Sequence, residues 1–436
     1  MTGRNTPLPV DRALSAGAKQ CGVRLPSRQP PSLMPPLTFT RLALPLALAF
    51  VVLGGAPGAG AATPPAQPKE GPGGQGYASA SVVKRVLGRA GAVTLAYYGN
   101  GAAPEQGRPV AVMLHAWGAV NPQAYGSFIE HLARSGYLVL FPRFQEVGRT
   151  RPVDASGIAA NLVKDALAEL AGDQEAKPDT TRVALVGHLA GVPLAANLAA
   201  HARETGLPVP RLIFGAMPGG IARDDKARGI ALHDLNAIDP ATLIVTVIGD
   251  RDARAADIAA RRVMREATAV PTDHKLMVRA LSDDHGFPAL SATLASPAGV
   301  NTAYDVAQLK LPTPDPKQKP APFKWSADMT LTGEQTVLVG QINGAGTDSL
   351  DYLAVWKTFD MAAAAAFSGQ TATSLKSNPR FTDMERWSDG WPVRRLSVET
   401  PRPPAPPKPG TAVAAPVPAK PAAKPAAKPA GSARGQ

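Results

Sequence analysis

Seven apolar runs recur along the middle of the 436-residue chain, and most of them are rich in β-branched residues. They lie at residues 92–98, 108–115, 137–144, 182–187, 211–217, 241–249 and 274–281. Most of these runs have no alternating polar positions, which is typical of strands that are buried on both faces of a sheet. The pattern therefore predicts a parallel sheet that other elements cover.

Helical patterns separate the apolar runs, at residues 122–135, 157–171, 192–204 and 253–268. The first of these helices has one apolar face at helical spacing, formed by Tyr125, Phe128, Ile129 and Leu132. Strands and helices that alternate at this spacing predict an α/β fold, a mostly parallel sheet with helices on both faces.

Residues 290–346 interrupt this alternation because they are rich in proline, with a possible strand at 336–342. We interpret this segment as an excursion over the sheet. A last helix is expected within residues 348–367, and its apolar positions should dock on the core: Leu350, Leu353, Trp356 and Phe359.

The beginning of the chain has the layout of a secretory signal. An apolar run at 42–53 follows Arg41, and Ala59-Gly60-Ala61 fits the small-residue rule of a cleavage site. The run is shorter than the roughly 20 apolar residues that span a membrane. Met34 begins a better signal than Met1, so residues 1–33 are expected to be a non-native extension and 34–61 the signal peptide. The protein would then be exported, either to the periplasm or out of the cell.

Charge is concentrated at the two ends. The net charge is +12, of which residues 401–436 carry +6 and residues 1–75 carry +5. The body is nearly neutral, which argues against a nucleic-acid partner. The Pro/Ala/Lys tail at 401–436 should be disordered. It would either contact an anionic cell envelope or remain solvated without a partner. The one cysteine, Cys21, excludes an intramolecular disulfide.

The most informative stretch is Gly187-His188-Leu189-Ala190-Gly191, between an apolar run and a helical pattern. It fits the motif G-x-S-x-G except at its centre, where leucine replaces serine. That motif forms a strained strand-to-helix turn which exposes a nucleophile. The sequence predicts the turn without the hydroxyl.

Two further candidate residues follow later strands. Asp252, which we prefer to Asp250, follows the run 241–249 and could orient a histidine. His285 follows the run 274–281 and could act as a general base. Each alone is more often a surface residue. Together with position 189 they have the chain order of α/β-hydrolases, nucleophile, acid and histidine.

Residues 85–370 resemble the α/β-hydrolase superfamily, and within it secreted bacterial serine esterases of the dienelactone-hydrolase and chlorophyllase-like kind. The segments that carry the resemblance are HAWGAVNPQAY, HLARSGYLVLFPRFQ, GHLAG, GDRD, DDHGFP and DYLAVWK. The resemblance implies that Asp252 and His285 are the acid and base. It also implies that the backbone N–H groups of Trp117 and Ala190 form an oxyanion hole.

The resulting domain plan has a flexible linker at 62–76, a hydrolase domain at 77–370 and a C-terminal extension at 371–400. No metal or cofactor is expected, since the histidines lack metal-binding spacing and no phosphate-binding glycine loop is present. Three functions stay open: an impaired hydrolase homologue with a pocket for acyl or ester ligands, an active carboxylic-ester hydrolase, or a non-enzymatic envelope scaffold. The active hydrolase would need serine at 189 or a water-based mechanism. The oligomeric state is undetermined by the sequence.

Overall fold

The computed structural model describes residues 61–401, except 224–227, 252, 314–316, 318–321 and 332–334. In this part of the chain nine strands form one sheet, in the order β1-β2-β4-β3-β5-β6-β7-β8-β9. The strands β1 to β9 are Val82–Arg89, Ala92–Gly99, Arg108–Leu114, Leu138–Pro142, Pro178–His188, Leu212–Ala216, Leu243–Ile248, Lys275–Arg279 and Ser397–Glu399.

The centre of the sheet is parallel and its two edges are antiparallel. The six central strands run parallel to one another, in the order β4, β3, β5, β6, β7 and β8. β1 pairs antiparallel with β2, β2 pairs antiparallel with β4, and β9 pairs antiparallel with β8. Strands β4, β6 and β7 are buried at every position, as their unbroken apolar runs predict.

Nine α-helices of the described residues, α1 to α9, are Gly126–Arg134, Ala155–Leu170, Gly191–Ala200, Ala202–Thr205, Ala253–Glu266, Gln335–Asn343, Lys357–Phe367, Ala372–Ser377 and Pro379–Thr382. A π-helical segment, Leu350–Trp356, leads directly into α7. Short 3₁₀ turns lie at Pro122–Tyr125, Leu235–Ala237, Thr272–His274, Thr302–Tyr304, Val306–Gln308 and Ala327–Met329. None of the helices in this part of the chain is both long and apolar enough to cross a bilayer.

The helices form two layers. Helix α1 packs on α7, where the rings of Phe128 and Phe359 lie 5.7 Å apart, and Phe359 also contacts Phe214 of β6. Helix α2 packs on α3, where Asn197 donates to the Ser156 hydroxyl at 3.0 Å. The crossover through α1 and the crossovers through α2 and α3 run in opposite directions along the sheet, so right-handed connections place them on opposite faces. The predicted fold class, a mostly parallel sheet with helices on both faces, is confirmed.

The predicted strand at 336–342 is wrong, because these residues belong to helix α6. A seven-residue apolar run does not distinguish a strand from a helix by its periodicity. The docking of the last helical segment is confirmed, since four of its apolar residues are at most 3% exposed: Leu350, Leu353, Trp356 and Phe359.

Both flanking segments are attached to the sheet domain. The segment predicted as a flexible linker is held by hydrogen bonds, since Ser349 Oγ donates to the Pro65 carbonyl at 2.7 Å and the Gly73 amide donates to Asp360 at 2.7 Å. At the other end, residues 371–400 contribute α8, α9 and the edge strand β9. The predicted signal peptide and cationic tail lie outside the described residues.

Candidate functional site: a hydrolase elbow that carries leucine

The turn between β5 and α3 keeps the geometry of a nucleophile elbow. Leu189 has φ +50°, a left-handed conformation that is uncommon for any residue except glycine. Its amide donates to the Ala216 carbonyl at 3.1 Å, and its carbonyl accepts from Val192 at 3.0 Å and from Gly219 at 3.2 Å. A conformation of this kind costs on the order of 1–3 kcal/mol and persists only where its surroundings enforce it. The turn therefore remains although the hydroxyl is missing.

The two glycines of the motif are sterically required. A Cβ atom on Gly187 would lie 2.5 Å from the backbone of Gly191, and a Cβ atom on Gly191 would lie 1.9 Å from the Leu114 carbonyl oxygen. Only glycine allows the elbow to pack this closely on the end of β3. The sequence pattern at 187 and 191 thus reports a real close approach of backbones.

A cavity of about 250 Å³ opens at the elbow. Its lining residues are Ala116, Trp117, Leu189, Ala190, Pro218, Gly219, Gly220, Ala255, Leu294, Leu331, Leu338 and Ile342. No carboxylate, imidazole, hydroxyl or amino group belongs to this described lining. Leu331, Leu338 and Ile342 come from the predicted excursion, which therefore covers the carboxyl ends of the strands, where ligands bind in open α/β sheets.

The backbone amides of Trp117 and Ala190 have no acceptor among the described residues, and the same holds for three other amides of the cavity lining, those of Gly220, Leu294 and Leu331. The neighbours of Trp117 are occupied, since the Ala116 amide donates to the Tyr125 hydroxyl at 3.0 Å and the Gly118 amide donates to Gln145 Oε1 at 2.8 Å. Trp117 and Ala190 are the residues for which the resemblance to α/β-hydrolases implies an oxyanion hole. The structure places both on the same cavity as Leu189.

His188 connects three loops around the cavity and is fully buried. Its Nδ1 lies 2.9 Å from the Tyr125 hydroxyl and its Nε2 lies 2.8 Å from the Leu294 carbonyl oxygen. The carbonyl can only accept, so the hydrogen-bond network assigns the proton to Nε2 and makes Nδ1 the acceptor of the tyrosine proton. Burial lowers the pKa of His188 to about 4, so the ring is neutral near pH 7.

His285 does not line the cavity. Its Nε2 lies 2.7 Å from Asp389 Oδ2, and its ring stacks on Trp391 with centroids 5.5 Å apart. The structure therefore does not bring His285 together with Leu189 as the triad hypothesis expects. Asp389 belongs to the C-terminal extension, and no feature of the sequence indicates that it pairs with this histidine.

The predicted acid, Asp252, lies outside the described residues. Its neighbour Asp250 accepts hydrogen bonds from the Ser282 hydroxyl at 2.5 Å and from the Ser282 amide at 3.0 Å. Asp250 thus fastens the loop after β7 to the loop after β8. Elsewhere in the described part of the chain, no group of three or more His, Cys, Asp or Glu side chains is arranged to hold a metal ion.

Sequence reasoning missed two residues of this site. Tyr125 was assigned only to a helix face, and its hydroxyl in fact joins the loop after β3 to the elbow. Leu294 carries no chemical signal at all, because an aliphatic side chain in a loop suggests only packing. The structure places it on the same cavity as Leu189.

One family model matches the central region of the chain. Residues 102–249 match the chlorophyllase family model, which is about a third of the chain and contains β3 to β7 with the elbow. No curated protein matches the chain significantly.

The chain is similar to several solved esterase structures. Carboxyl esterase 2 from the mycorrhizal fungus Tuber melanosporum has 16% identity and a TM-score of 0.35, over 47% of this chain and 79% of that one. An esterase of the bacterial hormone-sensitive lipase family has 19% identity and a TM-score of 0.37, over 47% and 75%. The thermophilic carboxylesterase EstE1 from a metagenomic library has 17% identity and a TM-score of 0.35, over 48% and 82%.

Proposed function

We propose that this α/β-hydrolase-fold protein is exported and hydrolytically impaired, and that its elbow cavity binds a small acyl or ester-type ligand without cleaving it. The observation that carries the proposal is Leu189 itself, held at φ +50° where a nucleophile would be exposed. An alkyl side chain cannot attack a carbonyl, so no acyl-enzyme forms at this position. The described cavity lining contains no base that could activate a water instead.

The pocket persists although the nucleophile is absent. The two motif glycines still pack backbone against backbone. The amides of Trp117 and Ala190 have no acceptor in the described structure, so they are available to a carbonyl oxygen of a ligand. Apolar walls with a few polar donors are the usual composition of small-molecule sites. These features support a receptor for a carbonyl compound with short apolar arms.

The cavity volume limits the size of this ligand. A cavity of 150 Å³ is known to hold benzene, which has six heavy atoms. In proportion, the cavity of about 250 Å³ would accommodate roughly ten heavy atoms. Ethyl hexanoate, an ester of that size, is therefore a suitable probe.

Export is proposed from the signal-like segment at 34–61. Cell fractionation and N-terminal sequencing of the mature chain test it. A mature N-terminus at Ala62 in the periplasm or the medium supports export, and an uncleaved chain in the cytoplasm refutes it.

Hydrolytic impairment is tested with purified residues 62–436 and with p-nitrophenyl acetate and butyrate. Turnover close to the buffer rate is expected. Fast turnover that scales with protein concentration would refute the proposal.

Ligand binding is tested by calorimetric titration with ethyl hexanoate. Leu338→Trp should abolish binding because the larger ring fills the cavity that Leu338 lines. Val337→Trp is the matched control, since Val337 is adjacent and 61% exposed, and it should bind normally. Equal loss of binding in both variants, or none in either, would place the ligand elsewhere.

A further inference from the structure

We infer that the reaction centre is closed at two positions, because Leu294 occupies the place of the general base that Leu189 would need as a nucleophile. The inference rests on the proposed function and makes it more specific. It assigns the base position to an aliphatic residue of the loop after β8, and it removes His285 from that role.

The first support is the contact of Leu294 with the elbow. Leu294 lines the same cavity as Leu189. Its carbonyl accepts the Nε2 proton of His188, the residue directly before Leu189, at 2.8 Å. The backbone at 294 is thus hydrogen-bonded to the elbow itself.

The second support is the contact of the same segment with the loop after β7, which is followed in the sequence by Asp252, the acid that the resemblance implies. The Arg251 amide donates to the Ala292 carbonyl at 3.0 Å, and a Cβ atom on Gly249 would lie 2.1 Å from that carbonyl oxygen. The Ala292 amide in turn donates to Ser282 Oγ, whose proton goes to Asp250. The acid loop therefore meets the chain two residues from Leu294.

A general base in this chemistry must lie between the nucleophile and the acid. The segment 292–294 contacts both the elbow and the loop after β7, whereas His285 does not line the cavity of Leu189. His285 lies in a hairpin that Asp283 and Leu290 close with two backbone hydrogen bonds of 2.8 Å, and its ring pairs with Asp389. Chain order alone pointed to His285, and spatial order points to Leu294.

Two substitutions, Leu189→Ser and Leu294→His, would restore ordinary ester hydrolysis. The hydroxyl oxygen at 189 would attack the ester carbonyl while the imidazole at 294 takes the hydroxyl proton. The imidazole would return that proton to the departing alkoxide, which leaves as the alcohol. Water would then cleave the acyl group with the same imidazole as base, and the free acid would leave.

The test compares Leu189→Ser with the pair Leu189→Ser/Leu294→His, using p-nitrophenyl butyrate turnover and labelling by a fluorophosphonate. General-base catalysis contributes about 10²–10⁴-fold, so the pair should exceed Leu189→Ser by at least about 100-fold. Its rate should rise with pH through a histidine titration that Leu189→Ser lacks. The matched control is Leu189→Ser/Leu294→Gln, which has a polar side chain without a base and should behave like Leu189→Ser.

Two results would overturn the inference: a pair variant no faster than its glutamine control, or a Leu189→Ser variant that is already active and loses that activity on His285→Ala. Neither result bears on the proposed function, which is tested separately, on the unsubstituted protein, by its export, its ester turnover and its ligand binding.

A second design keeps the test valid if the pair variant does not fold. Leu189→Ser/Leu294→Ala leaves space at 294, and free imidazole should rescue ester turnover in a saturable way above its own background reaction. Leu189→Ser without the second substitution should show no rescue. Equal responses of the two variants to imidazole would overturn the inference.

Discussion

The Leu294 carbonyl oxygen accepts a hydrogen bond from Nε2 of His188 at 2.8 Å, which joins the loop after β8 to the elbow after β5. The same imidazole accepts the proton of Tyr125, whose oxygen accepts from the Ala116 amide. One buried, neutral histidine therefore positions all three loops that surround the cavity.

Acid should weaken the fold before most carboxylates titrate. Burial lowers the pKa of His188 and of His115 to about 4 from an ordinary 6.5. Both groups bind protons less tightly in the folded chain, so their contribution is complete above pH 6.5 and is lost as the pH falls toward 4. Each shift corresponds to about 3 kcal/mol at the acid end. Urea unfolding between pH 7 and pH 4 should show this loss.

Two buried carboxyls act in the opposite direction. Burial raises the pKa of Asp348 and of Asp351, so these two carboxyls favour the folded chain more as the pH falls. They oppose the histidines and cannot imitate them. An NMR titration in which His188 or His115 titrates near pH 6.5 in the folded chain would contradict the assignment of buried neutral histidines.

Tyr125→Phe should destabilise the fold by about 1–3 kcal/mol, because it leaves His188 Nδ1 and the Ala116 amide buried without partners. Tyr97→Phe is the matched control, since the Tyr97 hydroxyl is buried with no partner in the described structure. That control should be neutral or stabilising. Thermal unfolding measures both, and similar losses in the two variants would argue against the loop-joining role of Tyr125.

Gly191→Ala should cost more than about 2 kcal/mol, because its Cβ would overlap the Leu114 carbonyl oxygen at 1.9 Å. Gly157→Ala provides the control. It lies in helix α2 with nothing within 4 Å of a new Cβ, and alanine should stabilise it by about 0.5–1 kcal/mol. In chemical denaturation, Gly191→Ala should lower the midpoint and Gly157→Ala should raise it.

His285→Ala should leave the stability nearly unchanged, because the pair with Asp389 is exposed to solvent and screened. Ethyl hexanoate affinity should stay the same, since His285 does not line the cavity. Calorimetric titration of this variant beside Leu338→Trp measures the affinity, and thermal unfolding measures the stability. A loss of ligand affinity on His285→Ala would indicate that His285 belongs to the ligand site.

Particular residues show how far the sequence predicts this molecule. Unbroken apolar runs predict seven strands of the sheet, and Gly187 and Gly191 predict the elbow, because both features follow from local chemistry. The edge strands β1 and β9 were missed, since neither has an unbroken apolar run. Helix α6 was mistaken for a strand because seven residues are too few to reveal a period.

The site was predicted less completely than the fold. His285 attracted the base assignment because it is a titratable residue in hydrolase order. The sequence does not single out Leu294, because an aliphatic side chain has no chemical signal and only its position in the folded chain relates it to the site. The loop after β8 is positioned by contacts with residues that are distant in the sequence, Asp389 and His188. No local sequence pattern encodes those contacts.

The central claim is that the elbow cavity binds an ester and leaves it intact. The most direct measurement is ¹³C NMR of the unsubstituted protein, residues 62–436, with ethyl hexanoate labelled at its carbonyl carbon. We predict a saturable shift of the carbonyl signal, which should be absent with Leu338→Trp. The hexanoate signal should not grow beyond that of the buffer control. Protein-dependent growth of the hexanoate signal would contradict it.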